Sequence, residues 1–305
     1  MTDQPDSTQR CGFIAVIGAP NAGKSTLVNR IVGAKVSIVS HKVQTTRMQI
    51  RGIAIHDQSQ LVFIDTPGIF EPKRRLDRAM VKAAWTGAGE GDIVALVVDA
   101  ARGLDEDVER ILERLGQARS KRLLILNKID RLEDKEQLLA LTQLITKKQG
   151  FDKIFMIAAL GGDGVDDLKK FLADNVPAGP WHYPADEISD LPVRMLAAEI
   201  TREKIFHRLH DELPYAITVE TLSWKKLRNG GVRVEQTIFV ERESQRKIVL
   251  GKAGATIKQI SMEARKELSH LIEQKVDLFL FVKIRENWGN DPERYREIGL
   301  EFPKD

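Results

Sequence analysis

The sequence predicts a three-layer α/β domain with a mostly parallel sheet, followed by a smaller α+β domain. Three observations carry this. From Gly12 to about Val176, apolar runs of strand length alternate with amphipathic stretches of helical length. Four of the eleven prolines, Pro177, Pro180, Pro184 and Pro192, then fall within one window, which reads as a stiff linker. Beyond it, strand-like and helix-like runs segregate differently, around a turn at Asn229-Gly230-Gly231. The expected boundaries are an amino-terminal tail over 1–11, a first domain over 12–176, a linker over 177–192 and a second domain with its tail over 193–305.

Within the first domain, Phe13 to Ile17, Leu61 to Ile64, Ile93 to Val98, Leu123 to Leu126 and Ile154 to Ile157 are near-continuous apolar runs. Strands buried on both faces of a parallel sheet have that composition. The order reads strand, helix, strand, strand, helix, and then strand and helix pairs. In the second domain a helix is expected from about Val193 to Asp211, with strands at Ala216 to Leu222, Val232 to Val240, Lys247 to Leu250 and Val276 to Ile284. A short glycine loop and a helix separate the last two.

Composition bounds the function. The 305 residues are 42% hydrophobic and 30% charged, with a net charge of +3, and no run nears the roughly 18 apolar residues of a membrane span. Met1 to Arg10 lack the apolar centre of a secretory signal, so a cytoplasmic location is expected. The single cysteine, Cys11, can form neither an internal disulfide nor a zinc cluster and reads as a packing residue.

Gly18-Ala19-Pro20-Asn21-Ala22-Gly23-Lys24-Ser25, with Thr26 after it, follows an apolar strand and opens a helix. This is the context of a glycine-rich phosphate loop, whose backbone N–H groups surround the β-phosphate while the lysine reaches the β- and γ-phosphates. Ser25 would hold Mg²⁺. Asp65-Thr66-Pro67-Gly68 lies 41 residues after Lys24 at the end of a predicted strand. Open α/β sheets bind ligands at that edge; Asp65 can hold Mg²⁺ through water and the Gly68 N–H can sense the γ-phosphate. Asn127-Lys128-Ile129-Asp130 follows another strand. The Asp130 carboxylate can accept both N1–H and the exocyclic amine of guanine, donors that adenine lacks as a pair. GTP and GDP are therefore the expected ligands.

With these motifs in order, residues 12–176 resemble the translation-factor-related branch of the P-loop GTPases. The resemblance places the first switch at Val43-Gln44-Thr45-Thr46-Arg47, with Thr46 favoured over Thr45 as the hydroxyl that joins Mg²⁺. It also places Ala158-Ala159 at the last guanine-contacting motif. The usual serine is missing there, and a backbone N–H remains to meet the guanine oxygen. Ras-like enzymes orient the attacking water with a glutamine after the third motif's glycine. Here that residue is Ile69, so slow intrinsic turnover is expected. Related GTPases with an apolar residue at this point often hold K⁺ with a phosphate-loop asparagine. Asn21 therefore has two readings, a K⁺ ligand or a loop-shaping residue.

In the second domain, Gly251-Lys252-Ala253-Gly254 sits between an apolar run and the amphipathic stretch from Ala255 that carries Lys258. A Gly-x-x-Gly loop in this setting can clamp the backbone of about four single-stranded nucleotides. Residues 181–305 carry 21 basic and 21 acidic residues, but from Arg242 through Arg285 ten basic residues face five acidic ones. Glu203, His207, His210 and Asp211 have helical spacing suggestive of a metal site, but they lie among Lys204 and Arg208 on a helix expected to be half exposed. Trp181, Tyr183, Trp224 and Trp288 read as core-edge residues.

Leu191 to Glu301 resembles the type II KH domain of the Era family of GTPases. That resemblance implies binding near the 3′ end of 16S rRNA during 30S subunit maturation, with the GTP state gating RNA engagement. It further implies a monomer that does not bind DNA, with peripheral inner-membrane contact as a family trait. The rival readings are a membrane-associated regulatory GTPase and an RNA scaffold with a structural nucleotide site.

Overall fold

The computed structural model describes residues 9–42, 45–116, 120–209, 213–228 and 230–303. The chain divides into two compact units, one ending at Asp190 and rejoined by the segment from Ile298, the other covering Leu191–Glu297.

The first unit is built from β1 (Arg10–Ile17), α1 (Lys24–Val32), β2 (Ile50–His56), β3 (Ser59–Asp65), α2 (Arg75–Glu90), β4 (Ile93–Asp99), α3 (Glu106–Leu115), β5 (Lys121–Asn127), α4 (Glu136–Lys148), β6 (Lys153–Ile157) and α5 (Val165–Asn175). Its strands run in the order β2-β3-β1-β4-β5-β6, and only β2 is antiparallel to its neighbour. Every residue of β3 and β4 is buried, as their apolar runs require of strands covered by helices on both faces. The proline-bearing segment after α5 is bonded into this unit. Cys11 N donates to Pro177 O at 3.1 Å, Trp181 Nε1 to Gln58 O at 3.1 Å, and Ile53 N to Ile188 O at 2.9 Å.

The second unit comprises α6 (Val193–Arg208), β7 (Thr218–Lys226), β8 (Val232–Val240), α7 (Glu243–Leu250), α8 (Ala255–Leu271), β9 (Val276–Ile284) and α9 (Pro292–Glu297). β7 and β8 are antiparallel, β8 and β9 parallel, in the order β7-β8-β9. One face of the sheet is covered by α6 and α8, in a core that includes Ile200, Val234, Ala264, Leu268 and Leu278. This is the expected α+β domain, in the element order α-β-β-α-α-β.

Three local expectations are corrected. Lys247 to Leu250 is the end of helix α7, not a strand. Gln245 Oε1 accepts from Glu241 N at 2.8 Å and Arg242 N at 3.2 Å, so the helix start is satisfied from within. The β-branched pair Ile248-Val249 then follows the helix, burying Val249 and leaving Ile248 exposed. The β7 strand begins at Thr218, after a 3-10 turn over Leu213–Ala216. Finally, α6 is mostly buried. Glu199, Arg202 and Glu203 lie inside it because their charges are paired locally, Arg202 Nε with Glu199 Oε1 at 2.7 Å and Lys204 Nζ with Glu203 Oε2 at 2.8 Å. His210 and Asp211, like Asn229 of the turn and Val43-Gln44 of the first switch, lie outside the described residues.

Candidate nucleotide site and RNA loop

β1, β3, β4 and β5 end side by side, and their last residues or the loops after them line a cavity of about 450 Å³. That size is ordinary for a small-molecule site.

The loop from Gly18 to Gly23 wraps the buried ammonium of Lys24, whose Nζ donates to Gly18 O at 3.1 Å and Ala19 O at 3.0 Å. Burial lowers the Lys24 pKa to about 8, against the raising effect of Asp65 and with a further lowering from Lys128. A cation held at such a cost favours an anionic ligand that restores its charge. Gly23 has φ 99°, and a Cβ there would lie 2.2 Å from Asn127 Nδ2, so only glycine fits. Pro20, Ser25 and Thr26 line the cavity, while Ala19 and Ala22 are buried beneath it.

Ser25, Thr46 and Asp65 converge. Ser25 Oγ donates to Asp65 Oδ2 at 2.7 Å and lies 3.0 Å from Thr46 Oγ1. Thr45 turns elsewhere, donating to Lys42 O at 2.8 Å. Asp65 is fully buried, its Oδ1 has no hydrogen-bond partner among the described residues, and burial raises its pKa against the opposing effects of Ser25, Ser37 and Lys24. An orphaned buried carboxylate oxygen beside two hydroxyls is an oxygen donor set suited to Mg²⁺.

Thr66 Oγ1 donates to Val16 O at 2.8 Å and fixes the next turn to β1. Pro67 is buried, and a Cβ on Gly68 would come 3.0 Å from Pro20 N and Cα, so this turn lies directly on the phosphate loop. Ile69 packs in the apolar core with Ala15, Ile17 and Ala84 and is 2% exposed. Its side chain is absent from the site because the core holds it.

Asn127 is buried, with Nδ2 donating to Ala22 O at 2.9 Å and Oδ1 accepting from Ala159 N at 3.0 Å. It thereby ties the phosphate loop to the last motif. Lys128, in a left-handed conformation with φ 64°, sends Nζ to Asn21 O and to Asp99 Oδ2, both at 2.6 Å. Asp130 is exposed on the cavity wall, where its carboxylate is open to a base. Asn21 Nδ2 donates to His41 O at 2.8 Å, which links the phosphate loop to the first switch.

Two residues escaped sequence reasoning. Asp99 ends β4 in register with Asn127, and that pairing of strand ends is the signal that could have found it. Leu160 is the other. It follows Ala158 and Ala159, whose N–H groups are bonded to Asp163 O at 3.0 Å and to Asn127 Oδ1, and it lines the cavity.

In the second unit the Gly251–Gly254 loop joins α7 to α8. Gly251 has φ 73° and its α-carbon packs on Thr256, where a Cβ would be 2.2 Å from Oγ1. Gly254 has φ 77° with open space around it, and Lys252, Ala253 and Lys258 are exposed. α8 starts without a side-chain cap, and the N–H of its first residue, Ala255, donates back to Lys252 O within the loop. Trp288 is buried and bonded through Nε1 to Ala216 O at 3.0 Å, whereas Trp224 packs against the sheet core.

Comparison with known proteins agrees with this geometry. Residues 13–128 match the family model described as 50S ribosome-binding GTPase, and residues 212–289 match that of the KH domain. GTPase Era of Afipia carboxidovorans is 61% identical over 305 residues, covering 100% of this chain and 99% of that protein. GTPase Era of Brucella suis is 60% identical over 301 residues, covering 98% and 96%. Among solved structures, Era in complex with MgGDPNP and nucleotides 1506–1542 of 16S ribosomal RNA superposes with a TM-score of 0.91 at 36% identity, covering 95% of this chain and 99% of that one. A variant of Aquifex aeolicus Era bound to GDP and AlF₄⁻ matches with the same score, identity and coverage. The chain is a GTPase with a carboxyl-terminal KH domain, and it belongs to the Era family.

Proposed function

We propose that this GTPase engages 16S rRNA near its 3′ end and acts in maturation of the 30S subunit, with GTP and Mg²⁺ setting whether RNA is held. The observation that carries the proposal is the exposed Gly251–Gly254 loop at the uncapped start of α8, in a chain that superposes over nearly its whole length on an Era bound to 16S rRNA. Phosphates of a single strand can approach that backbone because neither glycine carries a Cβ, and Lys252 and Lys258 supply charge beside them.

In the G domain, the phosphate loop and Lys24 bind and orient the phosphates, and Asp130 selects guanine. Ser25, Thr46 and Asp65 would hold Mg²⁺, which supplies charge neutralisation at the β- and γ-phosphates when bound. With Ile69 in the core, no side chain at that position orients water, so intrinsic hydrolysis is slow, on the order of 10⁻⁴ to 10⁻² s⁻¹. Asn21 lies at the mouth of the site with its amide on His41 O, a place from which its oxygen could serve K⁺. Among the described residues no helix is long and apolar enough to cross a membrane.

The test replaces Lys252 and Ala253 by aspartates. Ala253 has φ 51°, a conformation that aspartate tolerates better than most residues, and both positions are exposed, so folding should survive. Two carboxylates at the loop should abolish binding of a labelled 16S 3′-end fragment while GTP affinity and basal hydrolysis stay unchanged. Wild-type RNA affinity in a folded double variant would end the proposal.

A further inference from the structure

The KH sheet has a second face, turned away from α6 and α8. Alternation along β9 puts Val276, Leu278 and Leu280 into the core and Phe279 and Phe281 on the opposite face, where they are 42% and 48% exposed. Two half-bare phenylalanines two residues apart on a strand are costly unless something covers them. Their surroundings are cationic. The Arg233 guanidinium lies 4.5 Å over the Phe279 ring, while Phe239 on the neighbouring strand is buried beneath Arg285 at 4.4 Å and Arg294 at 5.6 Å, so the open part of the face is the part around Phe279 and Phe281. Lys225, paired in register with Arg233, and Lys283, paired with Phe239, share this face. Three carboxylates also face this way. Glu235 is paired with Arg233, and Glu220 with both Arg294 and Arg285, which leaves Asp277 against Lys225 and Lys283, for which no ion pair is found among the described residues.

Rings interleaved with guanidinium planes and lysines are the chemistry of a base-stacking platform: bases stack on phenylalanine and on arginine, and the lysines meet phosphates. The lysines and arginines around the rings favour a polyanion with aromatic bases over a protein partner. β9 is an edge strand of the sheet, so a strand of RNA leaving the loop side can pass over it to the other face. We infer that the outer face of this sheet is a second RNA-binding surface, which stacks unpaired bases on Phe279 and Phe281 and extends the RNA held by the Gly251–Gly254 loop. The inference rests on the RNA-binding reading above, because a loop of this type clamps only about four nucleotides.

The test uses the full-length protein, two labelled single-stranded RNAs and fluorescence anisotropy at fixed salt. The short RNA holds only the nucleotides that saturate the loop, and the long one adds unpaired nucleotides on either side. Phe279→Thr/Phe281→Thr keeps strand-forming residues and should weaken the long RNA at least tenfold, while leaving the short RNA, GTP hydrolysis and the melting temperature unchanged. Phe279→Tyr/Phe281→Tyr should restore the long RNA's affinity. Photo-crosslinking of a thiouridine-bearing long RNA should mark the peptide 276–284. A folded threonine variant that binds both RNAs like wild type overturns the inference, as does equal loss of both RNAs, or loss only of binding to anionic vesicles. Failure of the wild-type protein to bind either RNA would instead strike the RNA-binding reading itself.

Discussion

Asn127→Ala tests whether the nucleotide site is organised by one buried amide. Asn127 is 2% exposed, as is Ala159, and Ala22 is 1% exposed. Removing the amide leaves the buried Ala22 carbonyl and the Ala159 N–H without their partners. Each orphaned group costs about 1–3 kcal/mol, so the pair costs roughly 2–6 kcal/mol. The nucleotide-free protein can escape part of that cost by letting the loop at Ala158 to Leu160 relax, and nucleotide binding must then reassemble it. At the lower bound, about 2 kcal/mol corresponds to a loss of GDP affinity of about 30-fold. Asn127→Asp keeps an acceptor for Ala159 N but sets a carboxylate against Ala22 O, so it should bind no better than the alanine variant. Stopped-flow dissociation of a fluorescent GDP, with thermal melts at saturating nucleotide, measures both effects. A variant with a lowered melting temperature and wild-type GDP dissociation would refute the reasoning, because the amide would then brace the fold without shaping the site.

Three further expectations concern the same cavity. Asp130→Asn should shift preference from guanine towards xanthine, since an amide can pair with a 2-oxo group; unchanged GTP affinity would remove Asp130 from base recognition. Replacing Na⁺ by K⁺ at equal ionic strength should speed GTP hydrolysis, and Asn21→Ala should erase the difference; equal wild-type rates in the two salts would leave Asn21 only its bond to His41 O. The Lys24 pKa of about 8 in the nucleotide-free fold lies below its ordinary 10.5, so the unfolded chain binds more protons between these values and fold stability rises with pH across that window. Phosphates favour the charged form, so GDP affinity should fall above pH 8, by up to tenfold per unit, with proton uptake visible by calorimetry in two buffers; affinity flat to the onset of guanine ionisation would contradict it.

What could be read from sequence followed from how local its causes are. β3 and β4 were legible because the buried runs Leu61 to Ile64 and Ile93 to Val98 leave a continuous apolar signature. The phosphate loop was legible because Gly23 is required by its own φ and by the closeness of Asn127. The stretch at Lys247 to Leu250 misled because a short β-branched run fits either element, and the decision was made upstream by Gln245 closing the helix start. α6 misled for a different reason. Its charge count describes an exposed helix, whereas Glu199 and Arg202 neutralise each other three residues apart and can be buried together. Asp99 is a non-local case, since its role depends on β4 and β5 pairing so that it stands beside Asn127.

Backbone conformation joins the two functional loops in one physical argument. Among the described residues six non-glycine positions have positive φ, and three of them, Asn21, Lys128 and Ala253, lie in the phosphate loop, the base-recognition turn and the RNA loop. Such conformations cost of order 1–3 kcal/mol each and persist where surrounding bonds over-determine them. At Asn21 and Lys128 those bonds are visible, through His41 O, Asp99 and the lysine's own contact with Asn21 O. Ala253 has no such bracing in a side chain; the turn around it is closed by Gly254 N donating to Gly251 O at 3.1 Å. The nucleotide site is thus held rigid before ligand arrives, by side chains from several strands. The RNA loop is held by its own backbone and the two glycines, so its shape leaves its side chains free for phosphates. That difference predicts that substitution at Lys252 and Ala253 lowers RNA affinity without unfolding the domain, whereas substitution at Asn127 lowers both stability and nucleotide binding.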